Sequence, residues 1–325
     1  MWPLLISLAC VNRVPTAPEV QARALAFGAH LGYVALGELG LATVDPASGA
    51  IGPPLPPPAP MDSVDDLALL NDVLVVLDAH SPGYVALYGV REDSPQLSAA
   101  PVEVPVGGVA RVSNHHGVLV VSGGTEPLTV MTYDGYGVLG GARSQARVAE
   151  DQSEVLVDHT GERAYLSTRL DADRYGLTAL QLRAPPAEPT VLSQLPIPGA
   201  DGAALSGQIQ DDLYYLGFSD GLAVVDVSDP AEMKILSLTA LGVSGAAAAV
   251  ELDRAYVVGS RPRPLLVELD VSEPAAPRVL EEIPLPEAAW PTDVAVRKGT
   301  VLVAAGPAGV LAFQRREPPD ATRAQ

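Results

Sequence analysis

Residues 221–230 read G-L-A-V-V-D-V-S-D-P, an apolar run that ends in an aspartate and a proline-closed turn. The same run returns at 266–274 as L-V-E-L-D-V-S-E-P. Fainter copies start at Leu41 (L-A-T-V-D), Tyr84 (Y-V-A-L-Y), Leu128 (L-T-V-M-T), Leu177 (L-T-A-L-Q) and Val310 (V-L-A-F-Q). Successive anchors stand 43 to 49 residues apart, so seven units fill the chain. A glycine directly precedes the anchor in five of them, at Gly40, Gly83, Gly176, Gly221 and Gly309. Short strands at such a period mark an architecture in which each unit is one small sheet that its neighbours must cover.

Working outward from the anchor, every unit divides in the same way. An inner strand comes first, expected at 64–70, 109–113, 154–157, 203–207, 247–251 and 293–297. A turn rich in Asn, Asp, Gly or His follows, then a second strand centred on Tyr33, Leu74, Leu119, Tyr165, Tyr214, Tyr256 or Leu302. The anchor motif is the third strand. The middle strands are continuous apolar runs, as at 73–77 and 222–227, where a half-exposed sheet would alternate. Both faces of each sheet are therefore expected to be buried. The fourth segment carries proline (53–60, 101–105, 189–198, 274–286), which suits an outer edge because proline donates nothing to a ladder. Innermost strand first and proline-bearing strand outermost describe a propeller blade, and seven copies predict an all-β, seven-bladed β-propeller of four-stranded antiparallel blades spanning 22–314.

The ends have other roles. Residues 1–10, M-W-P-L-L-I-S-L-A-C, are a short apolar run in which a small residue precedes the chain's single cysteine. This pattern reads as a lipoprotein-type signal with Cys10 as the lipid-bearing residue, and places the protein outside the cytoplasm on a bacterial membrane. One cysteine excludes an internal disulfide framework. Residues 11–21 are expected to supply the missing outer strand of the last blade, and 315–325 form a polar tail. Hydrophobic residues make up 48% of the chain, ample for a core, and aromatics only 5%. A net charge of −19 disfavours nucleic acid and anionic membrane surfaces, because like charges repel at long range.

The copies at 221–230, 266–274 and 40–46 (G-L-A-T-V-D-P) resemble the signature of the LVIVD-repeat proteins of bacteria and archaea. The other four keep the apolar strand and lose the aspartate. The resemblance implies a β-propeller, often exported and lipid-anchored, with no activity common to the group. The motif aspartates (Asp45, Asp226, Asp270) read as turn staples, carboxylates accepting backbone N–H groups beyond the strand. Tryptophan–aspartate repeats and quinone-docking motifs need tryptophans that this chain lacks, since Trp2 and Trp290 are its only two.

In a propeller the loops entering the inner strands and those joining second to third strands open on one face around the channel. The entering loops here are acidic: Asp62, Asp65 and Asp66, Glu150 and Asp151, Asp201, and Asp293. Carboxylates from separate blades could hold a hard cation such as calcium, which takes several oxygen ligands. No compact calcium loop or other cofactor motif accompanies them. The longest second-to-third-strand loop, 167–176 in the fourth unit, carries Arg169, Asp171, Asp173, Arg174 and Tyr175, and the sixth unit adds Arg261 and Arg263 between prolines. Loops that exceed the norm of their repeat are where binding is grafted. His30, His115, His116 and His159 fall in the turns of the opposite face, and read as turn residues before metal ligands.

No nucleophile elbow, zinc-protease helix or phosphate-cradling loop is present. The expected function is accordingly a non-catalytic, monomeric propeller that binds a protein or polysaccharide through its channel face. The alternative is a metal-dependent hydrolase or lactonase working through the acidic rim.

Overall fold

The structure is a computed structural model that describes residues 21–315, apart from 92–93, 108–109, 135–138, 150, 201–205, 244–246 and 261. It contains only strands and turns among these residues, arranged as seven antiparallel sheets in a ring. The inner strands, in blade order, are Ala24–Phe27, Asp66–Leu70, Arg111–His115, Gln152–Val157, Gly207–Gln210, Ala247–Glu251 and Asp293–Arg297. They pack side by side around a central channel, and the first lies between the second and the seventh, so the ring is closed. The seven-bladed propeller expected from the repeat is the fold.

Apolar sequence becomes a core in a repetitive way. Every pair of neighbouring blades encloses its own cluster of buried side chains, seven clusters for seven junctions. Val73–Asp78 is buried along its whole length, and Gly221–Asp226 at all but its last residue. Only the outer strands alternate, as in Lys234–Ala240, where every second residue is exposed. A sheet sandwiched on both faces needs continuous apolar strands, whereas the rim strand has one wet face.

The motif explains itself in this setting. The Asp226 carboxylate accepts the Ser228 N–H at 3.0 Å and the Ser228 hydroxyl at 2.6 Å. Asp45 holds Ala47 N–H at 2.8 Å and Asp270 holds Ser272 N–H at 3.0 Å. These donors keep all three carboxyls below their ordinary range. The proline that closes the turn serves the next junction. Ser193 Oγ, on the outer strand of blade 4, donates to the Pro230 carbonyl at 2.5 Å, and Ser237 Oγ on blade 5 donates to Pro274 at 2.8 Å. The glycine before the anchor marks the closest approach of the outer strand. A Cβ on Gly40, Gly176 or Gly221 would lie 2.0 to 2.1 Å from a carbonyl oxygen of the facing segment.

Several sequence expectations need correction. The inner strands of blades 3 and 5 run to His115 and Gln210, later than the expected 109–113 and 203–207. The cause is the turn: His116–Gly117 and Asp211–Asp212 both hold positive φ at two successive residues, which makes a two-residue hairpin and fixes the pairing immediately beside it. The blades are also less uniform than their period. Blade 2 splits its outer strand into Ser94–Leu97 and Val102–Val104, paired with opposite ends of Gly83–Arg91. In blade 1 the fourth position is held only by bridges from Ile51 to Val44 and from Leu55 to Leu41. Among the described residues blade 7 shows three strands. The segments assigned to a signal (1–10) and to strand closure (11–21) lie outside the described residues except at Gln21, as does the tail beyond Arg315. The described chain begins against blade 7, since Ala22 and Gly306 exchange backbone hydrogen bonds at 3.1 and 3.2 Å.

Replacing Gly221 with alanine should force the outer strand of blade 5 away and cost about 1–3 kcal/mol. Gly89→Ala, whose new methyl would meet only Ser98 Oγ at an ordinary 3.7 Å, should be near neutral. Urea unfolding of the two variants makes the comparison.

Candidate functional site

Each inner strand is an edge. One side pairs within its blade, and the other turns unpaired backbone groups toward the channel, where they need partners. The preceding blade supplies them. Asp66 Oδ2 of blade 2 accepts Val112 N–H of blade 3 at 2.8 Å, and Ser113 Oγ of blade 3 accepts Val157 N–H of blade 4 at 3.0 Å. Gln208 of blade 5 accepts Val250 N–H at 3.0 Å, and in the turn after the blade 7 inner strand Gly299 N–H donates to the Glu251 carboxylate of blade 6 at 2.8 Å. Asp293 Oδ2 of blade 7 closes the circle on Leu25 N–H of blade 1 at 2.8 Å. In these five bonds the side chain of the earlier blade accepts and the backbone of the later blade donates.

The channel encloses a cavity of about 330 Å³ whose wall is formed by these strands. Five ionisable side chains from five blades line it: Arg23, Asp66, Arg111, Glu154 and Asp293. On blades 5 and 6 the wall is small, with Gly207, Ala248 and Ala249. Three carboxyl groups stand against two guanidiniums, and Arg23 is paired with Asp65, which leaves an excess of acid in a confined space. Burial raises the Asp66 carboxyl, and Arg111 and the Val112 N–H offset only part of that rise. Glu154 is pushed well above the ordinary range by burial, with Arg111 opposing and the neighbouring acids adding. Asp293 is pushed up to about 7, again by burial first, despite the Leu25 N–H. Arg111 stays protonated because the surrounding carboxylates outweigh its own desolvation.

Above this cavity the channel widens into a mouth of about 620 Å³, with Arg23, Arg111 and Thr292 at the neck between the two. Asp65, His80 and Trp290 belong to the mouth, and Trp290 is 67% exposed. Asp65 is committed: it pairs with the Arg23 guanidinium across the blade 1–2 junction and accepts Ala79 N–H at 2.9 Å. Ser63 Oγ sits 2.5 Å from Asp65 Oδ2 and 2.9 Å from His80 Nδ1, and Asp78 Oδ1 is 2.9 Å from that same nitrogen. A catalytic relay needs hydroxyl and carboxylate on opposite imidazole nitrogens. Here both share Nδ1 and Ser63 is wholly buried, so the arrangement ties two loops of blade 2 together. Burial would raise the Asp78 carboxyl, but N–H groups of His80 and Asp62 hold it below the ordinary range. Asp65, Asp78 and His80 are the one group of metal-ligating atoms that converges within 4.8 Å among the described residues. A cation there would have to displace Arg23 from Asp65.

The acids expected at the rim thus separate. Asp66 and Asp293 meet in the channel, and Asp65 guards its mouth. Asp62 is exposed and Asp151 half-buried, its carbonyl accepting the Arg169 N–H at 2.9 Å. Glu150, Asp201 and Arg261 lie outside the described residues, and Arg263 is exposed. The long loop of blade 4 turns its polar groups on itself. Arg169 donates to the Asp171 and Ala172 carbonyls at 3.1 and 2.8 Å, and Arg174 pairs with Asp171 at 2.5 Å. Asp173 N–H donates to the Asp171 carboxylate at 3.2 Å, and Tyr175 packs partly buried against the blade 4–5 core. On the opposite face the His115 and His116 rings meet at a tilt of 57° with centres 4.5 Å apart. Sequence reading overlooked Arg111, Glu154, His80 and Trp290. Arg111 and Glu154 sit on inner strands, the one element class with a wall on the channel, and that position was the available signal.

No family profile matches the sequence, and no curated protein matches it. Solved structures do match. A chain of the mitotic checkpoint complex aligns with a TM-score of 0.66 at 12% identity, covering 96% of this chain and 94% of that one. The WD40 repeats of RRP9 give 0.68 at 13%, covering 94% and 97%. A candidate 6-phosphogluconolactonase from Bacteroides uniformis gives 0.69 at 13%, covering 88% and 92%. At these identities the likeness is one of fold alone.

Because folding lifts the Asp293 pKa above its unfolded value, the native state holds this proton longer, and its contribution to stability falls as pH rises from about 4 to about 7. Asp293→Asn removes the ionisation and keeps an oxygen for Leu25. The stability of the variant relative to wild type should therefore rise by roughly 1–3 kcal/mol between pH 5 and pH 8. Urea unfolding at the two pH values measures the difference, and a constant gap would refute the assignment.

Proposed function

We propose that this chain is a binding propeller that engages a partner protein through the channel mouth and carries no reaction chemistry of its own. One observation carries the reading: a mouth of about 620 Å³ opens beside Trp290, an amphipathic ring left 67% exposed in a chain otherwise poor in aromatics. Exposed tryptophan beside a concavity is the residue type that anchors protein interfaces. The carboxylates behind it support binding over hydrolysis, since Asp65, Asp66 and Asp293 are engaged by a guanidinium or by backbone N–H groups. The similar propellers include a chain of the mitotic checkpoint complex, an assembly of several proteins, which supports a protein partner. The D-V-S-x-P copies and their stapled turns support kinship with the LVIVD-repeat proteins.

Trp290 is the place to test this. A photo-crosslinking residue substituted at Trp290 should capture a discrete partner in the native host, and one placed at Leu97 on the outer rim should not. Crosslinking from both positions alike, or from neither, would overturn the reading.

Residues 1–10 support an extracytoplasmic, lipid-anchored location, with Cys10 as the acceptor thiol. Cells fed an alkyne fatty acid should label the wild type and not Cys10→Ala; equal labelling would exclude the anchor.

A further inference from the structure

The channel cavity contains one carboxyl group that the architecture does not use. Asp66 and Asp293 each cap a backbone N–H of the following blade, as Ser113 and Gln208 do. Glu154, on the inner strand of blade 4, accepts no hydrogen bond among the described residues. Its nearest counter-charge is Arg111 Nε at 3.8 Å, beyond hydrogen-bond range. The residue is only 9% exposed, and it lines the cavity. A buried carboxyl held by one long ion pair and no hydrogen bond among the described residues is costly to keep, and this one lines open volume.

What would complete it follows from the geometry. The wall holds Asp66, Glu154 and Asp293 against Arg111 and Arg23, and Arg23 is already paired with Asp65 at the mouth, so the charge that would balance the remaining acids is positive. A bare metal ion fits poorly, because no three ligand atoms of these groups converge within 4.8 Å. An extended cation with several donors suits acceptors that stand apart, and guanidinium carries five N–H groups in a fixed plane. The small residues Gly207, Ala248 and Ala249 on blades 5 and 6, beside Gln208, leave room for its stem. We infer that the channel cavity binds the guanidinium or ammonium head of a linear organic cation, with Glu154 as its principal acceptor, and that this cation is a basic side chain presented by the partner. The inference deepens the binding role proposed for the mouth, and its last clause rests on that reading.

Agmatine, a linear guanidinium compound, is the probe. Calorimetric titration of the full chain at pH 7 in two buffers of different ionisation enthalpy should show one site. Protons should be released on binding, since Glu154 is facing Arg111, Asp66 and Asp293 and Asp293 titrates near 7. Glu154→Gln, which keeps shape and removes charge, should weaken agmatine by tenfold or more and reduce the proton release. Asp171→Asn, in the exposed blade 4 loop, should change neither. Agmatine heat that is absent at millimolar probe, or affinity unchanged in a natively melting Glu154→Gln, would overturn the cation site. Calcium chloride binding in place of agmatine would overturn it in favour of a metal. Crosslinking through position 290 is independent of Glu154, so a failed titration with intact crosslinking removes this inference and leaves the binding role standing.

Discussion

Every blade of this propeller is a sheet that is apolar on both faces, and such a sheet is stable only between two others. That constraint requires the ring to close. A stack of seven with free ends would expose two apolar faces, whereas a ring has none, and the seven inter-blade clusters are the consequence. Closure falls on blades 7 and 1, where Asp293 meets Leu25, Thr292 and Gly306 meet Ala22, and Arg297 reaches the Gly28 carbonyl. The apolar contact between the two blades includes Leu25, Val34, Leu302 and Ala312.

Closing the ring creates a second demand. Seven inner strands turn unpaired edges to one axis, and backbone N–H groups there must be satisfied without a further strand. The acceptors that cap them, Asp66, Ser113, Gln208 and Asp293, differ in chemistry and share one direction around the ring. Polar side chains are thereby drawn into the channel for structural reasons, and the space at the centre becomes charged. The functional character of the channel grows out of the solution to an edge problem. Glu154 and the open mouth beside Trp290 are what that solution leaves over.

The repeat aspartates and prolines, the most conspicuous residues of the chain, do turn chemistry. Asp226 staples its own turn, and Pro230 offers its carbonyl to Ser193 of the preceding blade. The long blade 4 loop is similar in effect: Arg174 and Asp171 neutralise each other, so the segment that departs furthest in length makes its polar contacts within itself. Blade 5 shows why strand ends were harder to place than strands. A pair of aspartates at positive φ moves the start of pairing by several residues, and composition around the turn does not reveal which two residues take that conformation.

Periodicity alone determined the number of blades, the order of strands within them and the burial of both faces, because these are local patterns that recur with the chain. The motif turns were equally legible, since an Asx-type turn is closed by residues two positions apart. Which acids share a cavity was decided by tertiary structure. Asp66 and Asp293 are neighbours across the channel although 227 positions separate them in sequence, and Arg111 and Glu154 join them from two further blades. Ring closure converts positions on one period into positions around one axis, and an acid's charge state there depends on the groups facing it across that axis, which no local stretch of sequence contains.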